Sequence, residues 1–253
     1  MSCTNKIPLR TIGKANCKDC SLSDLCLPIA LKVQDIDKLD HIIKRGRPIK
    51  KGDMLFMAGD KSESIFAVRS GTLKSFKATD EGEEQITGFH LPSELVGMSG
   101  IASDEGYPIT AQALETSSVC EIPFAQLESL SEEIPELRHQ LFKLMGQEIR
   151  DDQQMMLLLS KKTAEARVAT FLIYLSSRFK RRGFSSSAFR LTMSRSEIGN
   201  YLGLAVETVS RVFTRFQKQE ILSADGKNIE ILDMDNLCTI GAGNNEKLNA
   251  KAS

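Results

Sequence analysis

The stretch that most constrains the fold lies near the C-terminus, where residues 195–214 read RSEIGNYLGLAVETVSRVFT. Two glycines interrupt its apolar pattern: Gly199 would let a second helix approach the first closely, and Gly203 permits the positive φ of a sharp turn. The apolar positions that would fill the small core between the helices are Ile198, Leu202, Leu204, Val209 and Val212. The stretch therefore predicts a helix-turn-helix.

The second of these helices carries a polar face that the core does not use, with Glu207, Ser210 and Arg211 at helical spacing. Arg donates two hydrogen bonds to guanine, and Glu accepts one from cytosine. Thr192 and Ser194 precede the first helix, where a hydroxyl caps the helix or contacts phosphate. We therefore expect Glu207, Ser210 and Arg211 to contact the bases of double-stranded DNA.

Charge is divided unevenly along the chain. Residues 161–218 contain twelve Lys or Arg and three Glu, a net charge of +9, so the rest of this neutral chain carries −9. A basic segment joined to an acidic one suits nucleic-acid contact through one end, although a solvated helical surface gives the same pattern. Asp225-Gly226 lies between two apolar runs and predicts a hairpin. Residues 161–238 are therefore predicted to form a winged helix-turn-helix domain, followed by a disordered tail at 239–253.

The N-terminal half follows a different pattern. Apolar residues at helical spacing predict a helix over residues 31–46. Eight of the 17 glycines then fall between Gly52 and Gly106, with short apolar runs between them. Ser70-Gly71 separates two strand-like runs, as a tight hairpin would. We therefore predict a β-roll, barrel or sandwich within residues 31–134.

A long helix is predicted between these two parts, over residues 135–160. Six of its residues recur in steps of three and four, as they do along a coiled-coil seam. They are Phe142, Met145, Ile149, Asp152, Met156 and Leu159. Because the helix bridges the acidic and basic halves, we expect it to form a homodimer; the alternative is a helix that packs on its own domain. In such a dimer two Asp152 carboxylates would face each other and repel. The alternative is that Asp152 faces solvent.

The sequence shows no membrane or export signal. No run approaches the roughly 20 apolar residues of a membrane span, and the first residues, MSCTNK, lack the apolar run of a signal peptide. We therefore expect a cytoplasmic protein with no membrane partner. Because thiols there stay mostly reduced, the six cysteines argue for metal or redox chemistry rather than disulfides.

Four of the cysteines are candidate metal ligands. Cys17, Cys20 and Cys26 form a C-x2-C-x5-C motif within the cysteine-rich segment 1–30. Cys120 is a candidate fourth ligand from the β domain. Four thiolates suit either Zn²⁺ or an iron–sulfur cluster; the spacing slightly favours zinc, and a structural or dithiol role is the alternative. The cysteines without a partner by spacing are Cys3 and Cys238.

Enzyme signatures are missing from the sequence. The three histidines, His41, His90 and His139, are scattered, and none lies near the N-terminal cysteines. There is no Gly-rich phosphate loop, nucleophile elbow or metal-binding His pair. A zinc- or thiol-dependent redox enzyme is therefore the weaker hypothesis, and we expect a protein that is not an enzyme.

Over roughly residues 15–235, the chain resembles a known family, the FNR (fumarate and nitrate reduction) regulator branch of the Crp/Fnr superfamily. The matching stretches are CKDCSLSDLC at 17–26, EQITGFHL at 84–91, AQALET at 111–116, LLLSKK at 157–162 and GNYLGLAVETVSR at 199–211. The resemblance implies an α+β fold with an N-terminal β-roll of the cyclic-nucleotide-binding type, a long dimerisation helix and a C-terminal winged helix-turn-helix domain.

The resemblance also implies a cofactor and an input signal. The cofactor is one [4Fe-4S] cluster per subunit, which senses oxygen and controls dimerisation. Its ligands would be Cys17, Cys20, Cys26 and Cys120. Family members that bind cyclic AMP carry an Arg-Ser or Arg-Thr pair for the phosphate, whereas residues 107–111 read YPITA. We therefore expect no cyclic nucleotide, and a cyclic-nucleotide-responsive regulator is the alternative among DNA-binding proteins.

Three further expectations follow from the resemblance. Arg211 would pair with guanine of a TTGAT half-site, Glu207 with the opposite cytosine, and Ser210 with a thymine. The loop 79–84 matches a region that contacts RNA polymerase, although a plain solvated hairpin fits it equally. The acid matching Asp152 keeps the cluster-free protein monomeric. Together these imply an oxygen-responsive transcription regulator, an activator or a repressor according to the promoter.

Overall fold

The computed structural model describes residues 16–78, 81–102 and 105–243. The α-helices are α1 (Val33–Ile42), α2 (Phe124–Glu133), α3 (Pro135–Lys161), α4 (Ala164–Arg181), α5 (Arg195–Leu202), α6 (Val206–Lys218) and α7 (Met234–Ala242). The strands are β1 (Lys44–Arg45), β2 (Met54–Phe56), β3 (Ser64–Ser70), β4 (Leu73–Ala78), β5 (Glu84–His90), β6 (Leu95–Val96), β7 (Thr110–Ala113), β8 (Ser118–Pro123), β9 (Ala188–Arg190), β10 (Leu222–Asp225) and β11 (Asn228–Ile231). Short 3-10 helices lie at Leu27–Ala30 and Met98–Ala102.

Two antiparallel four-stranded sheets form the N-terminal domain, in the orders β1-β8-β3-β6 and β2-β7-β4-β5. Apolar side chains from both sheets pack between them. The ring of Tyr107, from the loop before β7, stacks on Phe56 of β2 with the ring centroids 3.9 Å apart. On the outer side of the first sheet, α1 and α2 contribute Leu39 and Leu127 to a second core that includes Ile65 of β3. The predicted β-roll is confirmed, and the predicted long helix is α3.

The prediction of a hairpin at Ser70-Gly71 is wrong. β3 pairs with β8 and β6, whereas β4 pairs with β7 and β5 in the other sheet. The turn therefore carries the chain from one sheet to the other. A sharp turn between two apolar runs has the same local sequence in both cases. The strands that decide the sheet, β8 for β3 and β7 for β4, lie more than 30 residues away.

The C-terminal domain contains the predicted helix-turn-helix, α5 and α6. A Cβ at Gly199 would lie 2.6 Å from the Leu204 carbonyl oxygen, and Gly203 has a φ of 62°, so neither position suits a larger residue. Ser194 caps α5 in a capping box with Glu197. β10 and β11 form the predicted hairpin, with β9 as the third strand of the wing.

The predicted start of the disordered tail, residue 239, is wrong. α7 continues to Ala242 and packs on α4, with Ile240 and Gly241 buried. Thr170 of α4 donates a hydrogen bond to the Gly241 carbonyl at 3.3 Å. The winged domain therefore extends beyond residue 238, because the apolar residues of α7 cover a face of α4. Residues 244–253 lie outside the described part of the chain.

A buried ion-pair cluster joins the two domains. Arg178 and Arg182 of α4 both bind Glu94, with the Arg178 Nε and Arg182 Nη2 atoms 2.8 and 2.6 Å from its Oε1. Each guanidinium also donates to a carbonyl of the N-terminal domain, that of Phe89 or that of Pro92. The two arginine side chains are only 3% exposed. Burial alone would raise the pKa of Glu94, but the guanidiniums lower it to about 2.

A second contact places α5 against β5, the outermost strand of its sheet. The Asn200 side chain accepts a hydrogen bond from the Ile86 backbone N–H and donates one to the Glu84 carbonyl, each at 2.6 Å. Gln85 donates to the Asn200 carbonyl at 2.9 Å. The helix-turn-helix is therefore held to the sheet through backbone groups of β5 that would otherwise be available to a neighbouring strand.

Candidate cluster site and nucleic-acid interface

The structure places the four candidate cysteine ligands in one region of the N-terminal domain. Cys17 and Cys20 are the two ends of one turn, which a hydrogen bond from the Cys20 N–H to the Cys17 carbonyl closes at 3.4 Å, and Cys26 directly precedes the 3-10 helix. Cys120 lies in β8, where it faces Arg45 of β1 in register. Cys26 and Cys120 pack against the same apolar core. Cys26 and Cys120, which are 94 positions apart in the sequence, therefore lie on the same core.

The environment of these thiols favours the protonated form when no metal is bound. Burial, a hydrogen bond to Asp40 and nearby charges raise the pKa of Cys17 to about 12. Burial also raises the pKa of Cys26 to about 12, with Cys120 and Cys20 adding to the shift. Burial raises the pKa of Cys120 too, against the opposing effect of Arg45. These cysteines are close enough for the charge on one to oppose ionisation of the next.

One ion pair beside these thiols was not predicted from the sequence. Asp40 lies in the last turn of α1, and its Oδ1 accepts a hydrogen bond from the Cys17 backbone N–H at 2.7 Å. The same oxygen binds the Arg45 guanidinium. Arg45 Nη2 also lies 3.7 Å from the Cys17 sulfur. The five-residue spacing of Asp40 and Arg45 across a helix end carries no recognisable motif, so only the fold reveals the pair.

The donor set suits a soft metal centre. Within the described residues, no three His, Cys, Asp or Glu side chains are close enough to hold one metal ion. The group consists of four thiols with a guanidinium beside two of them, and neither a His nor a second carboxylate takes part. Four Cys thiolates are the usual ligands of a [4Fe-4S] cluster, and a neighbouring cation offsets their negative charge. The four residues therefore fit such a cluster by the type of their donor atoms, although the described side chains do not form a site for a single metal ion.

The recognition face of α6 is exposed. Glu207, Ser210 and Arg211 all face solvent, while Val209 and Phe213 on the opposite face are buried. The Arg211 guanidinium makes a hydrogen bond of 3.3 Å with Thr208, in the preceding turn of its own helix. The three predicted DNA-contacting residues thus share one accessible surface of the second helix of the helix-turn-helix.

The predicted dimer seam is largely an exposed apolar stripe on α3. Its most exposed members are Phe142, Ile149 and Met156, at 64, 58 and 71%. Met145 and Asp152 are also exposed. Leu157, the neighbour of Met156, is a further exposed apolar residue of this helix, at 63%, and does not follow the spacing of the stripe. The last predicted member, Leu159, is half-buried beside the turn of the helix-turn-helix.

Comparison with known proteins agrees with this architecture. Residues 46–133 match the cyclic nucleotide-binding domain family, and residues 166–240 match the Crp-like helix-turn-helix domain family. The chain is 66% identical to the transcriptional activator protein Anr of Pseudomonas aeruginosa, over 94% of this chain and 97% of that protein. It is 55% identical to the fumarate and nitrate reduction regulatory protein of Escherichia coli K12, over 89% of this chain and 90% of that protein. The chain belongs to the FNR branch of the Crp/Fnr family.

The solved structures place this FNR-type chain in the same fold. FixK2 from Bradyrhizobium japonicum superposes with a TM-score of 0.72 and 30% identity, over 79% of this chain and 97% of that one. The predicted fold class is therefore confirmed. The relatives are transcription regulators with a DNA-binding helix-turn-helix, so the chain is a transcription regulator and not an enzyme. None of the described helices is both long and apolar enough to span a membrane.

Proposed function

We propose that this chain is an oxygen-responsive global transcription regulator that binds one [4Fe-4S] cluster per subunit. The cluster ligands would be Cys17, Cys20, Cys26 and Cys120. Under anaerobic conditions the loaded chain pairs through α3 and binds palindromes of TTGAT half-sites, and loss of the cluster to oxygen reverses both. The observation that carries the proposal is the position of Arg45, which lies 3.7 Å from the Cys17 sulfur and is paired in register with Cys120 of β8, so that the N-terminal motif and β8 flank one side chain.

The proposal is tested by purifying the protein without oxygen and measuring iron, acid-labile sulfide and zinc. We expect a brown protein with about four irons per chain, which binds a TTGAT palindrome and loses both colour and DNA binding in air. A colourless protein with one zinc per chain would overturn the proposal. The bound cluster would supply the oxygen-sensitive chemistry, while the protein's residues translate its presence into pairing and DNA binding.

Two partners follow from this function. The loop 79–84 is proposed to contact RNA polymerase; its residues Thr79 and Asp80 lie outside the described part of the chain. A cyclic nucleotide is not part of the proposal, because residues 107–111 offer no Arg to neutralise a phosphate and Tyr107 is buried against Phe56. Since the target is chromosomal DNA, we place the protein in the cytoplasm, where it activates or represses according to promoter geometry.

Base reading is assigned to Arg211, Glu207 and Ser210. Replacing Arg211 with Ala should weaken binding to the TTGAT palindrome by about 1–3 kcal/mol and relax the preference for guanine, because a bidentate contact is lost. Binding-site selection on the variant measures this. The matched control is Lys218→Ala in the last turn of the same helix, which should keep the guanine preference. Unchanged preference in the Arg211 variant would mean that another residue reads this base.

Asp152 is assigned the role of opposing dimerisation. It lies on the exposed stripe between Ile149 and Met156, and burial and the neighbouring Asp151 raise its pKa. In a symmetric dimer two such carboxylates would meet in a partly dry interface, where their repulsion and desolvation offset the burial of apolar side chains. The free energy of dimerisation is then close enough to zero for cluster binding to decide whether the chain is a monomer or a dimer.

Replacing Asp152 with Ala should make the air-exposed protein dimeric, tightening dimerisation roughly tenfold or more because a like-charge contact is removed. Sedimentation in air measures this. Asp151→Ala is the matched control, since Asp151 is engaged within its own chain by Gln147 and by Tyr174 of α4. That variant should remain monomeric. A monomeric Asp152→Ala protein would defeat this account of the switch.

A further inference from the structure

We propose that Arg45, held in place by Asp40, is a positioning residue that donates hydrogen bonds to the sulfur atoms of Cys17 and Cys120 and thereby retains the bound cluster. The inference rests on the proposed function. Arg45 Nη2 lies 3.7 Å from the Cys17 sulfur, within the range of an N–H···S hydrogen bond. Arg45 is also paired in register with Cys120 of β8, which places the two side chains next to each other. It therefore connects the N-terminal motif to the ligand from β8.

The backbone gives Arg45 little freedom to leave this position. β1 consists of two residues, and Arg45 is paired in register with Cys120 of β8. α1 ends at Ile42, so a single residue separates the helix from the strand. Asp40, in the last turn of α1, then fixes the guanidinium from the other side and at the same time binds the Cys17 backbone. Helix end, strand and cysteine motif are thus joined through one ion pair.

The charges around the site make Arg45 the residue best placed for this role. Four thiolates carry more negative charge than the cluster core offsets, so hydrogen bonds and cations around the sulfur atoms determine how firmly the cluster is held and at what potential it is reduced. Lys18 and Lys44, which lie nearby in sequence, are paired with Asp37 and Glu121. Arg45 contacts sulfur directly, and its side chain is only 24% exposed.

The planar guanidinium matters as well as the charge. It presents several donors in a fixed fork, so it can bind the Asp40 carboxylate and a sulfur atom together. A Lys ammonium has the same charge but no such fork. Its flexible side chain would bind the Asp40 carboxylate first and leave the sulfur atom without this donor. Lys at this position should therefore restore only part of the function, which separates a hydrogen-bonding role from simple charge compensation.

The test uses the full-length protein, reconstituted without oxygen, in four forms: wild type, Arg45→Leu, Arg45→Lys and Arg47→Leu. Arg47 is an exposed arginine two residues away and serves as the matched control. Cluster absorbance is followed after transfer to aerated buffer, and the reduction potential is measured without oxygen. We expect Arg45→Leu to lose its cluster about tenfold faster than wild type or more and to have a lower potential. Arg45→Lys should lie between, and Arg47→Leu should match wild type.

The outcomes separate this inference from the proposed function. Wild-type protein that takes up no iron overturns the proposed function itself. Wild-type and Arg45→Leu proteins that hold the cluster equally long at the same potential overturn the role of Arg45 alone. If Arg45→Leu fails to fold, as judged by circular dichroism of the metal-free protein, Arg45→Lys and Asp40→Asn decide: wild-type rates and potentials in both overturn the inference, and faster loss with a lowered potential supports it.

Discussion

Cys120→Ser protein is expected to be purified without its iron. Serine matches cysteine in size, so β8 should still pair with β1 and β3. Its hydroxyl is a hard, weakly acidic donor and a poor substitute for a soft thiolate. Iron should fall from about four atoms per chain toward none, and anaerobic DNA binding should be lost with it.

The control for this experiment is Cys238→Ser. Cys238 is an exposed thiol on α7, in the other domain. Its replacement should leave iron, sulfide and DNA binding at wild-type levels. Thermal unfolding of both metal-free variants checks that neither has lost its fold. A Cys120→Ser protein with a full complement of iron would show that β8 does not supply the fourth ligand, and the site would have to be completed elsewhere.

Glu94→Gln should destabilise the folded chain by about 3–5 kcal/mol at neutral pH, because it leaves Arg178 and Arg182 buried without their carboxylate. The effect should depend on pH. The pKa of Glu94 is lowered from 4.5 to about 2 in the folded chain. Its contribution is therefore fully present above pH 4.5 and is lost as the pH falls toward 2. Urea unfolding of the metal-free wild type and variant at pH 7 and pH 3 should show this difference shrinking in acid.

Other groups titrate in the same pH range and also contribute to the pH dependence of unfolding. Burial lowers the pKa of His90 to about 4, so this neutral imidazole also makes the fold less stable in acid. Because the Glu94 carboxylate raises that pKa, the destabilisation by His90 is larger in Glu94→Gln and offsets part of the expected convergence. The matched control is Glu63→Gln, which removes the carboxylate of an exposed ion pair with Lys61 and should not change the unfolding midpoint. A difference between wild type and Glu94→Gln that stayed constant from pH 7 to pH 3 would point to lost packing rather than to charge.

Local patterns predicted the parts of this molecule that depend on neighbouring residues. The helix-turn-helix has its glycines and apolar residues within a 20-residue stretch, and the exposed stripe of α3 follows a repeat of three and four. In both cases the period of the sequence is the period of the structure. The cysteine motif likewise indicated that Cys17, Cys20 and Cys26 lie in one short segment, and that segment consists of turns and bends.

Contacts between distant residues were beyond local patterns. Glu94 and Arg178 are 84 residues apart, and Asn200 binds backbone groups of β5 more than 110 residues away. Nothing in the sequence around Arg45 indicates that it will lie between two cysteines from different segments. The prediction that β3 and β4 pair as a hairpin was wrong for the same reason. Ser70-Gly71 indicates a turn but not the partners of the strands that it joins.

The contact between Asn200 and β5 has a consequence for solubility. The outer strand of a sheet has unpaired backbone groups to which a strand of another molecule can add, and this is a common origin of aggregation. Here the amide of Asn200 and the rest of α5 cover that strand between Glu84 and Ile86. The helix-turn-helix domain thus also shields this edge of the N-terminal domain from pairing with a second copy of the chain. Any movement that carries α5 away from β5 would expose this strand edge to pairing with another strand.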